Sequence, residues 1–431
     1  SSELKSFVKV HSVDLNLDKL IEYASCGSIL GQETLFKNIN ELEPGCYIRV
    51  DSNLNISNHQ YFNLGDTFNC SSKLLDFNEL EEAISQSVAC HMRCDVNYGT
   101  QLSGGVDSSL ITAIAAIHRG ENQKKDLESF SVELDFPSLN ESRFQKIVSE
   151  QYNTHHNRHI FGDKDIEEKL IKCIWMYDYP LHHPNIIPSY LMNEMAREKK
   201  LKVLLAGDGA DELFAGYAWN FNNYSHASSL QKIVDSSCFT PIELNKKIFS
   251  GASLDLTPRY ALIKSIDDPH TAVTLLDQRC TLDKWLQRQD RAGMYASIEI
   301  RVPFCNLGIF KLVNAVSFSN KTMNGKTPKY LLKKIAGKYL DDTIVHRRKI
   351  GFGVPLEDWF RNNSQLGSML RYLKDDLFKS RPLYNHEFVN ELIENHLNCK
   401  GDYGRALWVI LNVELWHRIF IDRSFNSLLD Q

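Results

Sequence analysis

Nowhere in this sequence does an apolar run approach the ~18 residues that a membrane-spanning helix requires. The opening Ser1-Ser2-Glu3-Leu4-Lys5 also lacks the apolar core of a signal peptide. A cytoplasmic protein with no membrane partner is expected. Excess positive charge is missing too: 49 Lys and Arg stand against 54 Asp and Glu, for a formal net charge of −5. That balance excludes nucleic-acid binding by bulk electrostatics, and no nucleic-acid partner is expected. The 10 cysteines among 431 residues are too scattered for a disulfide framework and suit a reducing compartment. Cys90-His91-Met92-Arg93-Cys94 has the outline of a metal knuckle, but no second Cys/His pair follows at finger spacing, so zinc is disfavoured. Internal repeats and low-complexity tracts are absent as well. At about 150 residues per domain the length implies two or more structural units.

What is present begins with Gln101-Leu102-Ser103-Gly104-Gly105-Val106-Asp107-Ser108-Ser109. The apolar positions that follow, Leu110, Ile111, Ala113 and Ile114, have helical spacing, so this string reads as strand end, glycine turn and helix start. The first-turn N–H groups of such a helix are unpaired and attract anions. Gly104 and Gly105 let the backbone approach a phosphate, and the hydroxyls of Ser103, Ser108 and Ser109 can donate to its oxygens. Asp107 would repel a polyphosphate unless a cation lay between them, which implies Mg²⁺. A plain helix cap explains Ser-Gly-Gly alone but not the whole string. Gly325-Lys326-Thr327 is no nucleotide triphosphatase loop, because Asn320 stands where the first glycine of that motif belongs.

Short apolar strands are expected at Gln101-Leu102, Phe130 to Leu134 and Lys202 to Ala206, separated by helices at Glu141 to Tyr152 and Ser189 to Lys199. That alternation predicts an α/β fold with a doubly wound parallel sheet, whose ligands sit beyond the carboxyl ends of the strands. Residues 1 to about 75 read as a small α+β piece, with a helix near Leu15 to Ala24 and strands near Gly45 to Val50 and Tyr61-Phe62. Beyond about residue 225 helical patterns dominate, and Ala406 to Trp416 is apolar around most of its circumference, as a buried helix would be.

The third strand runs into Gly207-Asp208-Gly209-Ala210-Asp211-Glu212-Leu213-Phe214-Ala215-Gly216-Tyr217, again glycines and carboxylates at a strand's carboxyl end. One acidic turn is most simply a solvated cap. Two on neighbouring strands can share a crevice, with Asp107 and Asp211 on one Mg²⁺ and Asp208 toward the reacting centre.

With these two motifs, Asp290-Arg291 through Pro303-Phe304, Lys329-Tyr330-Leu331-Leu332 and Arg347-Arg348-Lys349-Ile350-Gly351-Phe352-Gly353-Val354-Pro355, the chain resembles the synthetase half of the glutamine-dependent asparagine synthetases, within the PP-loop ATP pyrophosphatases. The likeness runs over nearly the whole chain. It implies that a substrate carboxylate attacks the α-phosphorus of ATP, giving an acyl-adenylate and pyrophosphate, and that ammonia or an amine then displaces AMP. By the same resemblance Ser103, Gly105, Asp107 and Ser108 cradle pyrophosphate, Leu102, Val132 and Gly207 line the adenosine, and Asp107 and Asp211 hold Mg²⁺; Gly104 and Ser109, in the same turn, complete the expected cofactor-binding set. Lys349 matches the lysine that neutralises charge building at the α-phosphate, and Asp208 stands where the family usually has a glutamate taken to deprotonate the amine.

Aspartate with ammonia is the default substrate pair that the resemblance implies. Tyr179 to Pro188, however, holds His182 and His183 and lacks the arginine that asparagine synthetases have in this stretch. A carboxylate clamp normally uses a guanidinium. Amidation or cyclisation of another carboxylate, such as a uronate, a peptide or a natural-product precursor, as in β-lactam synthetases and lasso-peptide cyclases, is the alternative. Leu20 to Leu64 resembles the last portion of the family's glutaminase domain, which implies a division into residues 1–75 and 76–431. The family's glutaminase uses an N-terminal cysteine and this sequence opens on serine, so no glutaminase activity is expected and the nitrogen is ammonia, an amine or the product of a separate glutaminase. A scaffold that merely kept the fold would have no use for Asp107, Asp211 and Lys349 together.

Overall fold

A computed structural model describes residues 1–68, 75–120, 127–134, 136, 140–162, 166–217, 230–348 and 354–425. Two short helices open the chain, α1 (Lys5–Val10) and α2 (Leu17–Cys26), followed by an antiparallel hairpin of β1 (Cys46–Val50) and β2 (Ile56–Gln60). Then come α3 (Phe77–His91), β3 (Tyr98–Gln101), α4 (Val106–Arg119), β4 (Leu127–Leu134), α5 (Ser142–Gln151), β5 (Thr154–Phe161), α6 (Ile166–Tyr177), α7 (Ile186–Glu198), β6 (Val203–Leu205) and α8 (Ala210–Phe214). After α8 the described chain is helical apart from β7 (Glu299–Arg301).

The five strands β3 to β7 form one sheet in the order β5-β4-β3-β6-β7, every pair parallel. The chain lays down β3, β4 and β5 in one direction, then returns to the other side of β3 for β6 and β7. The order therefore reverses between β3 and β6, and at such a switch point the connections leave on opposite faces and open a crevice. The doubly wound parallel sheet expected from the alternation is present. β6 is buried throughout, which is why it reads as a short apolar run, whereas β3, from Tyr98 to Gln101, is buried at its last three residues without being apolar.

Two expectations need correction. The strand placed at Tyr61-Phe62 ends at Gln60, and the thinning of strand signals beyond residue 225 hid β7, which has only three residues. β5 also went unread: its sequence Thr-His-His-Asn-Arg-His-Ile-Phe is mostly polar because it pairs on one side alone, with β4.

The helix Gly404–Phe420 is buried almost throughout, and Trp408 and Trp416 are fully enclosed. Both indole N–H groups find backbone partners, as buried tryptophans must. Trp416 Nε1 donates to the Asp178 carbonyl at 2.9 Å and Trp408 Nε1 to the Leu181 carbonyl at 2.8 Å. Between them, the Tyr23 hydroxyl of α2 donates to the Pro180 carbonyl at 2.5 Å. The first and last parts of the chain thus fix residues 178 to 181 together. The Asp178 carboxylate in turn accepts from the backbone N–H groups of Leu4 and Lys5, which pins α1 onto the same core.

Candidate active site

The glycine turn leaves β3 at the switch point. Leu102 N donates to the Phe130 carbonyl at 2.8 Å, extending the pairing with β4 by one bond before the chain turns. Gly104 has φ +77°, and a Cβ on it would stand 2.9 Å from Phe144 Cβ in α5, so both conformation and space demand glycine there. Within the turn the Ser108 hydroxyl accepts from Ser103 N at 3.1 Å and lies 2.9 Å from Ser103 Oγ. The loop is thereby tied to the first turn of α4. Leu102 and Ser109 have no exposed surface and Val132 has 5%, whereas Ser103 is exposed and Asp107 half-buried.

The acidic turn leaves β6 on the other side of the crevice. A Cβ on Gly207 would stand 2.8 Å from Ser108 N and 2.9 Å from the carbonyl carbon of Asp107. The two motifs, roughly a hundred residues apart in sequence, are in contact. Asp107 and Asp211 converge on one point, which the Lys329 ammonium occupies at 2.6 Å from Asp107 Oδ2 and 2.7 Å from Asp211 Oδ1. Burial alone would lower the Lys329 pKa, but the two carboxylates outweigh it and hold it above the ordinary value. Two hard oxygen donors converging beside an anion-binding turn are the donor chemistry that a divalent ion such as Mg²⁺ would use.

Asp208 is held from a different direction. Arg288 Nη2 donates to its Oδ1 at 2.8 Å and Gln289 Nε2 to its Oδ2 at 2.7 Å. Both come from the helix Leu282–Tyr295, on which the Arg288 guanidinium lies over the Trp285 ring, 4.8 Å from its centroid. Trp285 Nε1 donates to the Tyr217 hydroxyl at 2.9 Å, and Tyr217 donates to Glu212, whose carboxyl burial pushes up to about 8 with help from the Asp211 charge. The whole acidic turn is therefore braced by this helix.

Arg347 stands at the mouth of the glycine turn: its guanidinium would be 3.5 Å from a Cβ on Gly105, it pairs with Glu141 at 2.5 Å, and it lies over the Phe144 ring. Lys349, two residues further on, lies outside the described residues, as does the rest of its motif through Gly353. Sequence reading passed over Lys329, Arg288, Gln289 and Arg347. Each adjoins or lies within a quoted motif, and Lys284, Trp285 and Arg288 have the one-face spacing of a helix, which was the available signal.

The family model for asparagine synthase matches residues 79–418. The chain belongs to this family. Asparagine synthetase [glutamine-hydrolyzing] 1 of Bacillus subtilis (strain 168) is 27% identical over 480 aligned residues, covering 99% of this chain and 72% of the relative. A putative asparagine synthetase [glutamine-hydrolyzing] of Mycobacterium tuberculosis (strain ATCC 25618 / H37Rv) is 26% identical over 98% of this chain and 70% of the relative. Asparagine synthetase B [glutamine-hydrolyzing] of Escherichia coli (strain K12) is 27% identical over 64% of this chain and 44% of the relative. Membership makes the protein a carbon–nitrogen ligase that uses ATP for amidation. No helix among the described residues is long and apolar enough to cross a membrane.

Proposed function

We propose that the protein joins a carboxylate to ammonia or an amine through an acyl-adenylate, releasing pyrophosphate and then AMP, with aspartate and ammonia as the default pair. The observation that carries this reading is the contact of the two turns at the sheet's switch point, which sets an anion-binding helix start beside two converging carboxylates.

In this reading the backbone of Gly104 and Gly105 and the hydroxyls of Ser103 and Ser108 bind the β- and γ-phosphates that leave as pyrophosphate. Leu102, Val132 and Gly207 bound the adenosine, with Ser109 behind the loop. Asp107 and Asp211 would hold Mg²⁺, which would supply charge neutralisation to the polyphosphate, while Lys329, bonded to one oxygen of each, keeps the two carboxylates from repelling one another. The acceptor carboxylate oxygen forms a bond to the α-phosphorus as the bond to the β-phosphate oxygen breaks. Lys349 neutralises the charge that builds there. The nitrogen then bonds to the acyl carbon, AMP departs with the electron pair of the broken C–O bond, and the proton lost by nitrogen passes to Asp208. Asp208 can take it with Arg288 and Gln289 in place, because each carboxylate oxygen has a second lone pair. Residues 1–75 and 76–431 are proposed as separate units of descent, and the cytoplasm as the site of action.

Amidation of a different acceptor, a uronate or a peptide carboxylate, uses the same residues and is favoured by the histidines at 182 and 183. Pyrophosphate release from ATP and Mg²⁺ with ammonium, assayed with aspartate beside a panel of other acids, separates the two. Lys349→Ala should abolish release while leaving the melting transition in place; undiminished turnover in that variant would remove Lys349 from the mechanism.

A further inference from the structure

Cys26 and Cys238 lie 212 positions apart in sequence, yet their sulfurs stand 2.9 Å from one another as free thiols. Cys26 is the last residue of α2, after which Gly27 turns the chain at φ +68°. Cys238 follows the helix Leu230–Ser236. Beside the sulfurs the two segments are fastened by bonds that do not involve them. Phe239 N and Thr240 N donate to the Ser25 carbonyl at 2.7 and 3.2 Å. The Thr240 hydroxyl donates to the Ala24 carbonyl at 2.9 Å, and Asn245 Nδ2 donates to the Ser25 hydroxyl at 2.8 Å. The pair is therefore held together by the fold.

The surroundings make the two sulfurs chemically unequal. The bond from Cys238 holds the Cys26 thiol below the ordinary thiol value, and the buried Arg259 and Lys284 cations act in the same direction, against burial and the Glu22 carboxylate. The Lys284 ammonium donates to the Cys26 carbonyl itself at 2.8 Å. Cys238 is pushed up by its bond to Cys26 and by burial. Cys26 thus ionises first, and Cys238, the more exposed of the two, keeps its proton within reach of whatever forms on Cys26. Burial pushes the Cys173 and Cys280 thiols up, which leaves them inert.

We propose that Cys26 and Cys238 are a redox modification site, a dithiol that a peroxide closes to a disulfide, stapling α2 to the segment after the helix Leu230–Ser236. The Cys26 thiolate attacks hydrogen peroxide: an S–O bond forms as the O–O bond breaks, and the departing hydroxide takes up the proton that Cys26 had lost. The Cys238 sulfur then bonds to the Cys26 sulfur as the S–O bond breaks, and the Cys238 proton leaves with the hydroxyl as water. Two thiols lose two electrons and one peroxide becomes two waters; a low-molecular-weight thiol reverses the step by exchange. Paired thiols in a reducing compartment close in this transient, sensing manner rather than as permanent crosslinks. The staple lies beside Gly27, on which a Cβ would stand 2.2 Å from the His182 ring, so closing it fixes α2 against the segment that carries His182.

The test exposes the reduced, desalted full chain to hydrogen peroxide at neutral pH, alkylates the remaining thiols and maps peptides by mass without reductant. A linked pair joining Cys26 to Cys238 should appear while the exposed Cys90 and Cys399 are still alkylated, and dithiothreitol should restore both thiols. The mapping needs no variant to fold. Cys238→Ser, shown folded by circular dichroism, should accumulate a sulfenic acid at Cys26 that dimedone traps. Oxidation should raise the melting temperature of the parent by several degrees, because the bond closes a very long loop in the unfolded chain, and should leave that of Cys238→Ser unaltered. Absence of a linked pair, linkage of Cys26 to Cys280 instead, oxidation of Cys90 and Cys399 before the pair closes, or a parent melting temperature that oxidation does not raise would overturn the proposal.

Discussion

Gly207 rests on the backbone of Ser108: a Cβ added to the glycine would stand 2.8 Å from the serine nitrogen. The obstructing atoms are main-chain atoms of α4, which cannot rotate away as a side chain could. Gly207→Ala must therefore push the acidic turn and the glycine turn apart. Overpacking of this kind costs about 1–3 kcal/mol, visible as a lowered melting temperature. The loss of ATP-dependent pyrophosphate release should be larger than the stability loss, because catalytic alignment fails over shifts of ~1 Å. Gly162→Ala is the control, since nothing lies within 4 Å of a Cβ there. Equal effects of the two substitutions would remove the contact from the argument.

The Lys329 ammonium, 4% exposed as a residue, is the charge that lets Asp107 and Asp211 face each other. Removing one partner from a buried ionic group leaves an uncompensated charge and costs about 3–5 kcal/mol. Lys329→Met should lower the melting temperature accordingly. Added MgCl₂ should then raise it more in the variant than in the parent, because the divalent ion replaces the missing positive charge. Equal magnesium response in both proteins would show that the two carboxylates do not share a cation position.

How much of this was legible beforehand depends on where the information sits. The switch-point crevice was readable because Ser103 to Ser109 and Gly207 to Tyr217 each pack several constrained residues into one local string. β6 was readable as a short apolar run, since burial on both faces forces that composition, the second half of β4 by its apolar Phe130 and Val132, and β3 only by the glycine turn that its end enters. β5 was not, because a strand paired on one side tolerates His155, Asn157, Arg158 and His159. Lys329 and Arg288 belong to motifs that could be quoted, yet their partners lie far away in sequence, Asp107 by 222 positions and Asp208 by 80. Pairings of that range are set by the packed fold rather than by spacing.

Histidine burial gives the protein a defined acid limit. Burial, with neighbouring positive charge, lowers His183 to about 3 and His156 to about 4, and burial with Arg381 lowers His417 to about 4. A group whose folded pKa lies below its unfolded value contributes stability that is present above the unfolded value, near 6.5, and lost as pH falls toward the folded one. Each such histidine removes up to about 1.4 kcal/mol per pH unit below that point. Melting temperature should therefore fall steadily between pH 6.5 and about 4. His183→Gln, which cannot titrate, should flatten the slope by one proton; an unchanged slope would mean that His183 titrates alike in both states.

The Trp408 indole N–H donates to the Leu181 carbonyl at 2.8 Å. Leu181 precedes His182, so the indole sets the height of the wall that His182, His183 and Asn185 make opposite Lys284 and Arg288. Trp408→Phe keeps the aromatic bulk and removes the donor, leaving a buried carbonyl unsatisfied at a cost of about 1–3 kcal/mol. The nucleotide cleft is built from other strands and turns and stays as it was. KM for the acceptor acid should rise severalfold while KM for ATP holds, and Trp416→Phe, which frees the Asp178 carbonyl three residues earlier, should do the same more weakly. A loss shared equally between acid and ATP would mean that the tryptophans stabilise the molecule without placing the wall, and steady-state kinetics with one substrate varied at a time distinguishes the two.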